Sequence, residues 1–174
     1  MTREHAGARA CIALGSNLGD PVRQVRQAAR ALDALPESRR IALSSLYVSV
    51  PLGGMAQPDY INAVAILRTH LPPLKLLRCL QEIEKRQGRV RGGRRWEART
   101  LDLDLLLYDD LRLRDTELTL PHPGLAQRNF VLYPLFEIAP DLDIPGVGAL
   151  RELVSKSGME GLRRMVHTHE TQAS

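Results

Sequence analysis

The chain has 174 residues, 44% of them hydrophobic and 25% charged, with a formal net charge of +4. That balance suits one soluble domain, residues 1–174, able to bury a sizeable core. No apolar run nears the ~18 residues of a membrane span, MTREHAGARA lacks the apolar stretch of a secretory signal, and Cys11 and Cys79 have no zinc-like spacing. A cytoplasmic monomer with reduced core thiols and no membrane partner is the expectation. The positive charge would permit nucleic-acid binding, but aromatic residues make up only 4% of the chain, too few for stacking platforms. No nucleic-acid partner is therefore expected.

Arg9 to Leu14 reads as a strand, closed by the turn Gly15-Ser16-Asn17-Leu18-Gly19-Asp20. Asp20 and Pro21 then read as N-cap and first residue of a helix. Its apolar face carries Leu18, Val22, Val25, Ala29 and Leu32, and Pro36 stops it. Ile41 to Val50 is strand-like. Pro51 to Asp59 is a long turn-rich loop, expected to be mobile and functional. Tyr60 to Leu67 is a further strand. Pro72-Pro73 opens a helix running to about Gln87, striped with Leu76, Leu77, Leu80 and Ile83 and closed by Gly88.

The segment Arg89 to Asp104, RVRGGRRWEARTLDLD, carries the most information. From Lys85 to Arg99 there are seven basic residues and one acid, Glu97. Leu101 to Leu107 then alternates and turns fully apolar, as a strand entering a core does. Strand residues two apart share a face, so Asp102 and Asp104 point the same way. Such a pair repels unless a cation sits with it. Mg²⁺ binds through one or two carboxylates plus substrate phosphates, and arginines clamp phosphates bidentately. The chain has neither a GxxxxGK[ST] loop nor a GxGxxG turn, so arginines and metal must do any phosphate binding.

Beyond the Asp strand, Tyr108 to Leu113 suggests a hairpin turn and a returning strand. Pro121 to Gln127 is a loop. Phe130 to Ile138 holds Pro134, so a helix there is expected to begin near the proline. Leu150 to Met165 reads as a last helix, and His167 to Ser174 as a polar tail. The order is β-α-β-β-α-β plus extras. It predicts an α/β (α+β) ferredoxin-like fold: a largely antiparallel sheet with helices packed on one face.

Several of these motifs occur together in one known family. Gly15-Ser16-Asn17, Pro51-Leu52-Gly53, Gln57-Pro58-Asp59-Tyr60-Ile61-Asn62, Gln87-Gly88-Arg89-Val90-Arg91, Arg95-Trp96, Arg99-Thr100-Leu101-Asp102-Leu103-Asp104 and Pro121-His122-Pro123 follow in order. With them the chain, over about residues 9–153, resembles the 6-hydroxymethyl-7,8-dihydropterin pyrophosphokinases of folate biosynthesis. The resemblance implies the ferredoxin-like fold, and transfer of pyrophosphate from ATP to the pterin's hydroxymethyl group with release of AMP. It also implies two Mg²⁺ ions on Asp102 and Asp104. Catalytic arginines would be Arg89, Arg91, Arg95 and Arg99. ATP would meet Gln81, Glu84, Arg91, Trp96, Arg99, Leu105, His122 and Arg128. The pterin would meet Ser49, Val50, Leu52, Tyr60, Asn62, Trp96 and Phe130. Loops Pro51 to Asp59 and Arg89 to Ala98 would close over both substrates.

Elementary chemistry agrees with those roles. A pterin is a flat heteroaromatic ring, which suits an aromatic sandwich, and Asn62 can both donate to and accept from its amide edge. Four positions depart from the family pattern: Glu117 where some members have arginine, Glu97-Ala98 in place of Gly-Pro, and Val50 where Pro or Glu is common. The alternative is a small basic RNA-binding module of the same fold, which leaves the Asp102–Asp104 pair unexplained beside a polyanion.

Overall fold

The computed structural model describes residues 6–51, 56–88 and 100–166. The first half runs β1 (Ala8–Ser16), α1 (Pro21–Asp33), β2 (Ser38–Leu43), β3 (Tyr47–Ser49), β4 (Tyr60–Thr69), α2 (Pro73–Arg86) and β5 (Asp102–Tyr108). β4 and β1 form the centre of one sheet in the order β10 (Leu162–Arg164)-β3-β4-β1-β5, with β5 at one edge, β2 also on β4 and every pairing antiparallel. This is the ferredoxin-like βαββαβ arrangement with its second strand split in two. The split falls at Ser44-Ser45. The Ser44 hydroxyl accepts the Val64 N–H at 2.9 Å, taking a ladder position from the backbone.

Local chemistry sets the helix ends as expected. The Asp20 carboxylate accepts the Arg23 N–H at 3.2 Å, and Pro21 occupies the first turn. α2 begins at Pro73 and ends before Gly88, whose φ of +90° suits glycine. Leu18 lies ahead of α1 and is exposed rather than part of its buried face. Gln87 ties the two helices together, donating to the Gln24 carbonyl at 3.0 Å and to Gln24 Oε1 at 2.9 Å.

The second half departs from the sequence reading. It comprises β6 (Leu113–Arg114), β7 (Thr119–Leu120), α3 (Asn129–Ile138), β8 (Asp143–Ile144), β9 (Gly148–Ala149), α4 (Leu150–Ser157) and β10 (Leu162–Arg164). The strand after Tyr108 pairs with β7 and does not return along β5. α3 starts five residues before Pro134, which lies buried inside it. The last helix stops at Ser157, and the chain turns at Gly158 (φ +67°) to form β10 on β3.

Helices cover both faces of the sheet, correcting the one-faced expectation. Strand alternation sends Ile12, Leu14, Ala63, Ala65, Leu67, Leu103 and Leu105 toward Val25, Leu32, Leu76 and Leu80 of α1 and α2. The other parity sends Cys11, Val64, Ile66 and Leu107 toward Val131, Leu132 and Leu135 of α3 and Leu150 of α4. Cys11 and Cys79 are both free thiols. Burial pushes the Cys11 thiol up to about 12, so it packs as a small apolar side chain. Among the described residues no helix is long and apolar enough to cross a membrane.

The second core should be integral to stability. Leu132→Ala, at a position with no solvent exposure, is expected to cost about 2–5 kcal/mol. Urea unfolding would measure it, and a loss below about 1 kcal/mol would make the α3 layer an appendage.

Candidate active site

The second core does not run the full length of the sheet. Toward the C-terminal end of β1 its apolar residues give way to a cleft of about 200 Å³. Ala13, Gly15, Ser49, Val50, Tyr60, Asn62, Asp102, Asp104, His122, Arg128 and Phe130 are among its lining residues.

Register explains the floor. Gly15 of β1 sits directly between Asn62 of β4 and Asp102 of β5, and one step along Ala13 sits beside Asp104. Strands lie about 4.8 Å apart, so Asn62 and Asp102 stand roughly 10 Å apart across the row. Gly15 and Ala13 leave the space between them open. A Cβ on residue 15 would lie 3.4 Å from Asn62 Oδ1 and 3.9 Å from the Tyr60 ring.

Asn62 is buried, and its Nδ2 donates to Ser49 Oγ at 2.8 Å. That bond leaves the carbonyl end of the amide toward Gly15. The segment leading into Tyr60 is anchored from below. Buried Asn17 donates through Nδ2 to Gln57 Oε1 and to the Pro58 carbonyl, both at 3.1 Å. Phe130, from the first turn of α3, forms part of the opposite wall.

Asp102 and Asp104 both face the cleft, as their spacing predicts. Glu84 holds the peptide between them: its buried carboxylate accepts the Leu103 N–H at 3.2 Å. A β-bulge follows. Cys11 pairs with Leu107 and Ile12 with Leu105, so Leu106 has no partner on β1. The Leu106 carbonyl accepts the His122 N–H at 2.9 Å instead. The bulge thereby fastens the His122 loop beside the two aspartates.

His122 and Arg128 make a basic wall. The His122 Nδ1 accepts the Gly124 N–H at 3.1 Å, so the proton of the neutral ring belongs on Nε2. Burial, and secondarily the Arg128 charge, hold the imidazole below its usual pKa, while Asp102 acts in the opposite sense. A Cβ at Gly124 would lie 2.7 Å from the Arg128 guanidinium, so a larger residue there would push that side chain aside. The cleft therefore gathers carboxylates from β5, an amide and an aromatic ring from β4, and a neutral imidazole, a cation and a second aromatic ring from the loop and first turn of α3.

The structure brings together Ser49, Val50, Tyr60, Asn62, Asp102, Asp104, His122, Arg128 and Phe130 from the predicted set. Gln81, Glu84 and Leu105 do not line the cleft. Leu105 has the opposite parity to Asp104 and is core, and Gln81 and Glu84 belong to α2 beyond β5. Leu52, Arg89, Arg91, Arg95, Trp96 and Arg99 lie outside the described residues. Ala13, Leu14 and Val131 also line the cleft. Only the small side chain of Ala13, at the parity of Gly15, could have signalled this beforehand. Glu117 pairs with Arg78 of α2 at the surface.

Among families of known proteins, residues 11–140 match that described as 7,8-dihydro-6-hydroxymethylpterin-pyrophosphokinase (HPPK). Two bacterial proteins named 2-amino-4-hydroxy-6-hydroxymethyldihydropteridine pyrophosphokinase are similar over nearly their whole length. That of Haemophilus influenzae is 52% identical over 147 residues, 84% of this chain and 91% of the relative. That of Pseudomonas aeruginosa is 48% identical over 157 residues, 90% and 96% of the two chains. In fold the chain is similar to the crystal structure of wild-type Plasmodium falciparum HPPK-DHPS, with a TM-score of 0.71 at 14% identity. That match covers 94% of this chain but 45% of the Plasmodium one, so this chain spans less than half of that protein.

The titration of His122 checks the electrostatics. Its imidazole resonances in the ligand-free protein should titrate below the ordinary 6.5, and Arg128→Ala should move the midpoint upward. The unfolded chain binds the His122 proton more readily, so its contribution to stability is lost as pH falls below 6.5 toward the folded-state value. A midpoint at or above 6.5 in the folded protein would refute the neutral-imidazole assignment.

Proposed function

The chain belongs to the 7,8-dihydro-6-hydroxymethylpterin-pyrophosphokinase family, and from that premise we propose that its cleft joins the two substrates of that reaction. The enzyme is an ATP-dependent diphosphotransferase of folate biosynthesis. The pterin's hydroxymethyl oxygen attacks the β-phosphorus of ATP, the bond from the β-phosphorus to the α-bridging oxygen breaks, and AMP leaves. The hydroxyl proton is released.

One observation carries the assignment of roles. A buried amide and the Asp102 carboxylate occupy opposite ends of one row across β4, β1 and β5, with Asp104 one step along on the same face and Gly15 between the two ends. A flat ring bearing a short reactive arm fits that layout. In this reading Asn62, oriented by Ser49, reads the ring's amide edge. Tyr60 and Phe130 offer aromatic faces, and Val50 closes the rim. The arm then reaches over Gly15 toward Asp102 and Asp104.

The aspartates fit a hard divalent ion, since paired carboxylates opposite a polyphosphate would otherwise repel both each other and the substrate. Asp102 and Asp104 would hold Mg²⁺, two ions in the family pattern, which supplies charge neutralisation on the phosphates. Arg128 adds a fixed cation and His122 a neutral donor from the same side. Phosphoryl transfer depends mainly on positioning and charge stabilisation, which a rigid sheet floor supplies. Gln81 and Glu84 are assigned to the ATP side, whereas Leu105 packs in the core. Glu84 also fixes the Leu103 peptide between the metal ligands. Arg89, Arg91, Arg95 and Arg99, with Trp96, supply the remaining phosphate cations in this reading, and Leu52 a further pterin contact.

The direct test is formation of AMP and pterin diphosphate from ATP and the reduced hydroxymethylpterin. Asp104→Ala should lower turnover on the order of 10²-fold or more with the fold intact by circular dichroism. Turnover near that of the parent at saturating Mg²⁺ would remove Asp104 from the metal set. Asn62→Ala should weaken pterin binding by about 1 kcal/mol or more and spare the nucleotide. Calorimetry showing the reverse selectivity would move the ring elsewhere.

A further inference from the structure

Phe130 sits on a helical turn that its own helix holds incompletely. Pro134 has no N–H, so the Phe130 carbonyl four residues back lacks its helical partner. Other contacts must locate the turn, and they lie at the two ends of α3. At the start, Asn129 Nδ2 donates to the carbonyls of Gly158 at 3.3 Å and Glu160 at 2.9 Å.

Toward the end stands Glu137, seven residues after Phe130. Two helical turns return to the same face. The Glu137 carboxylate accepts the Ser45 N–H at 3.0 and 3.2 Å, the Ser45 hydroxyl at 2.7 Å and the Tyr47 hydroxyl at 2.8 Å. Arg164 of β10 approaches it at 3.3 Å and also donates through Nε to Ser45 Oγ at 3.0 Å. Partial burial alone would raise the carboxyl, but the donors from Ser45 and Tyr47 and the Arg164 charge hold it below the usual carboxylate range. Burial, reinforced by the carboxylate, pushes the Tyr47 phenol up to about 12.

The partners of Glu137 lead straight to the opposite side of the cleft. Tyr47 and Ser49 belong to the same three-residue strand, and Ser49 orients Asn62. One carboxylate thus links the helix that carries Phe130 to the strand that fixes the amide edge, while itself lying outside the cleft lining. We propose that Glu137 is a positioning residue for the flat ring substrate, setting the gap between Phe130 and the Ser49–Asn62 edge. This rests on the reading of Phe130 and Asn62 as the ring's walls.

The prediction is a split between the two substrates. Glu137→Gln turns an amide N–H₂ toward groups that now donate to a carboxylate. It should raise KM for the reduced pterin about tenfold while kcat and KM for ATP stay within about twofold. Tyr47→Phe, which deletes one donor only, should shift pterin KM the same way by a smaller factor. In both variants the Phe130 ring resonances of the ligand-free protein should move. A pterin KM within twofold of the parent, or an equal rise for both substrates, overturns the proposal. If Glu137→Gln does not fold, Tyr47→Phe decides by the same criteria. A parent protein making no pterin diphosphate would instead sink the functional reading. The Phe130 resonances alone would then decide whether Glu137 sets that wall.

Discussion

Asn62, Gly15 and Asp102 share one row across three antiparallel strands, and the cleft's chemistry depends on that register. A slip of one residue on either neighbouring strand would turn its polar side chain into the opposite core. The amide would then be buried against α1 or the aspartates against α2, in each case without water. Leu103 and Leu105, interleaved with the aspartates and packed in the first core, make that slip costly. Apolar burial on one face thus enforces the polar geometry of the other.

Two irregularities adapt the regular sheet to its task. Ser44 breaks the second strand of the fold and frees β3 to follow β4 beside Tyr60 and Asn62. The bulge at Leu106 gives β5 a carbonyl for His122. Each costs a ladder position, and each is compensated by a hydrogen bond that brings a cleft residue into place. α3 is irregular as well: its proline weakens the turn carrying Phe130, and anchors at Asn129 and Glu137 restore its position.

Charge in the cleft is segregated by element. Carboxylates come from β5, and the basic wall comes from the loop and first residue ahead of α3. A neutral His122 between Arg128 and Asp102 avoids a second fixed cation beside the guanidinium while keeping a donor available. Such an arrangement favours a ligand that carries its own counter-ions, as a metal–polyphosphate does.

Much of this is legible in the sequence. The parity of Asp102 and Asp104, the cap at Asp20, the proline opening of α2 and the βαββαβ order all follow from local rules of period and turn chemistry. The order of the motifs along the chain was enough to point to the family. Local rules failed where distant partners decide. Pro134 suggested a helix start, yet burial of Leu132 and Leu135 carries α3 through it. Leu150 to Met165 read as one helix, but Gly158 and pairing with β3 made its end a strand. The covering of both sheet faces was hidden for the same reason: alternation says that two faces exist, and only tertiary packing says what lies on each. Glu137 was invisible in sequence because its role is defined by Ser45, Tyr47 and Arg164, which tertiary structure alone brings to one carboxylate.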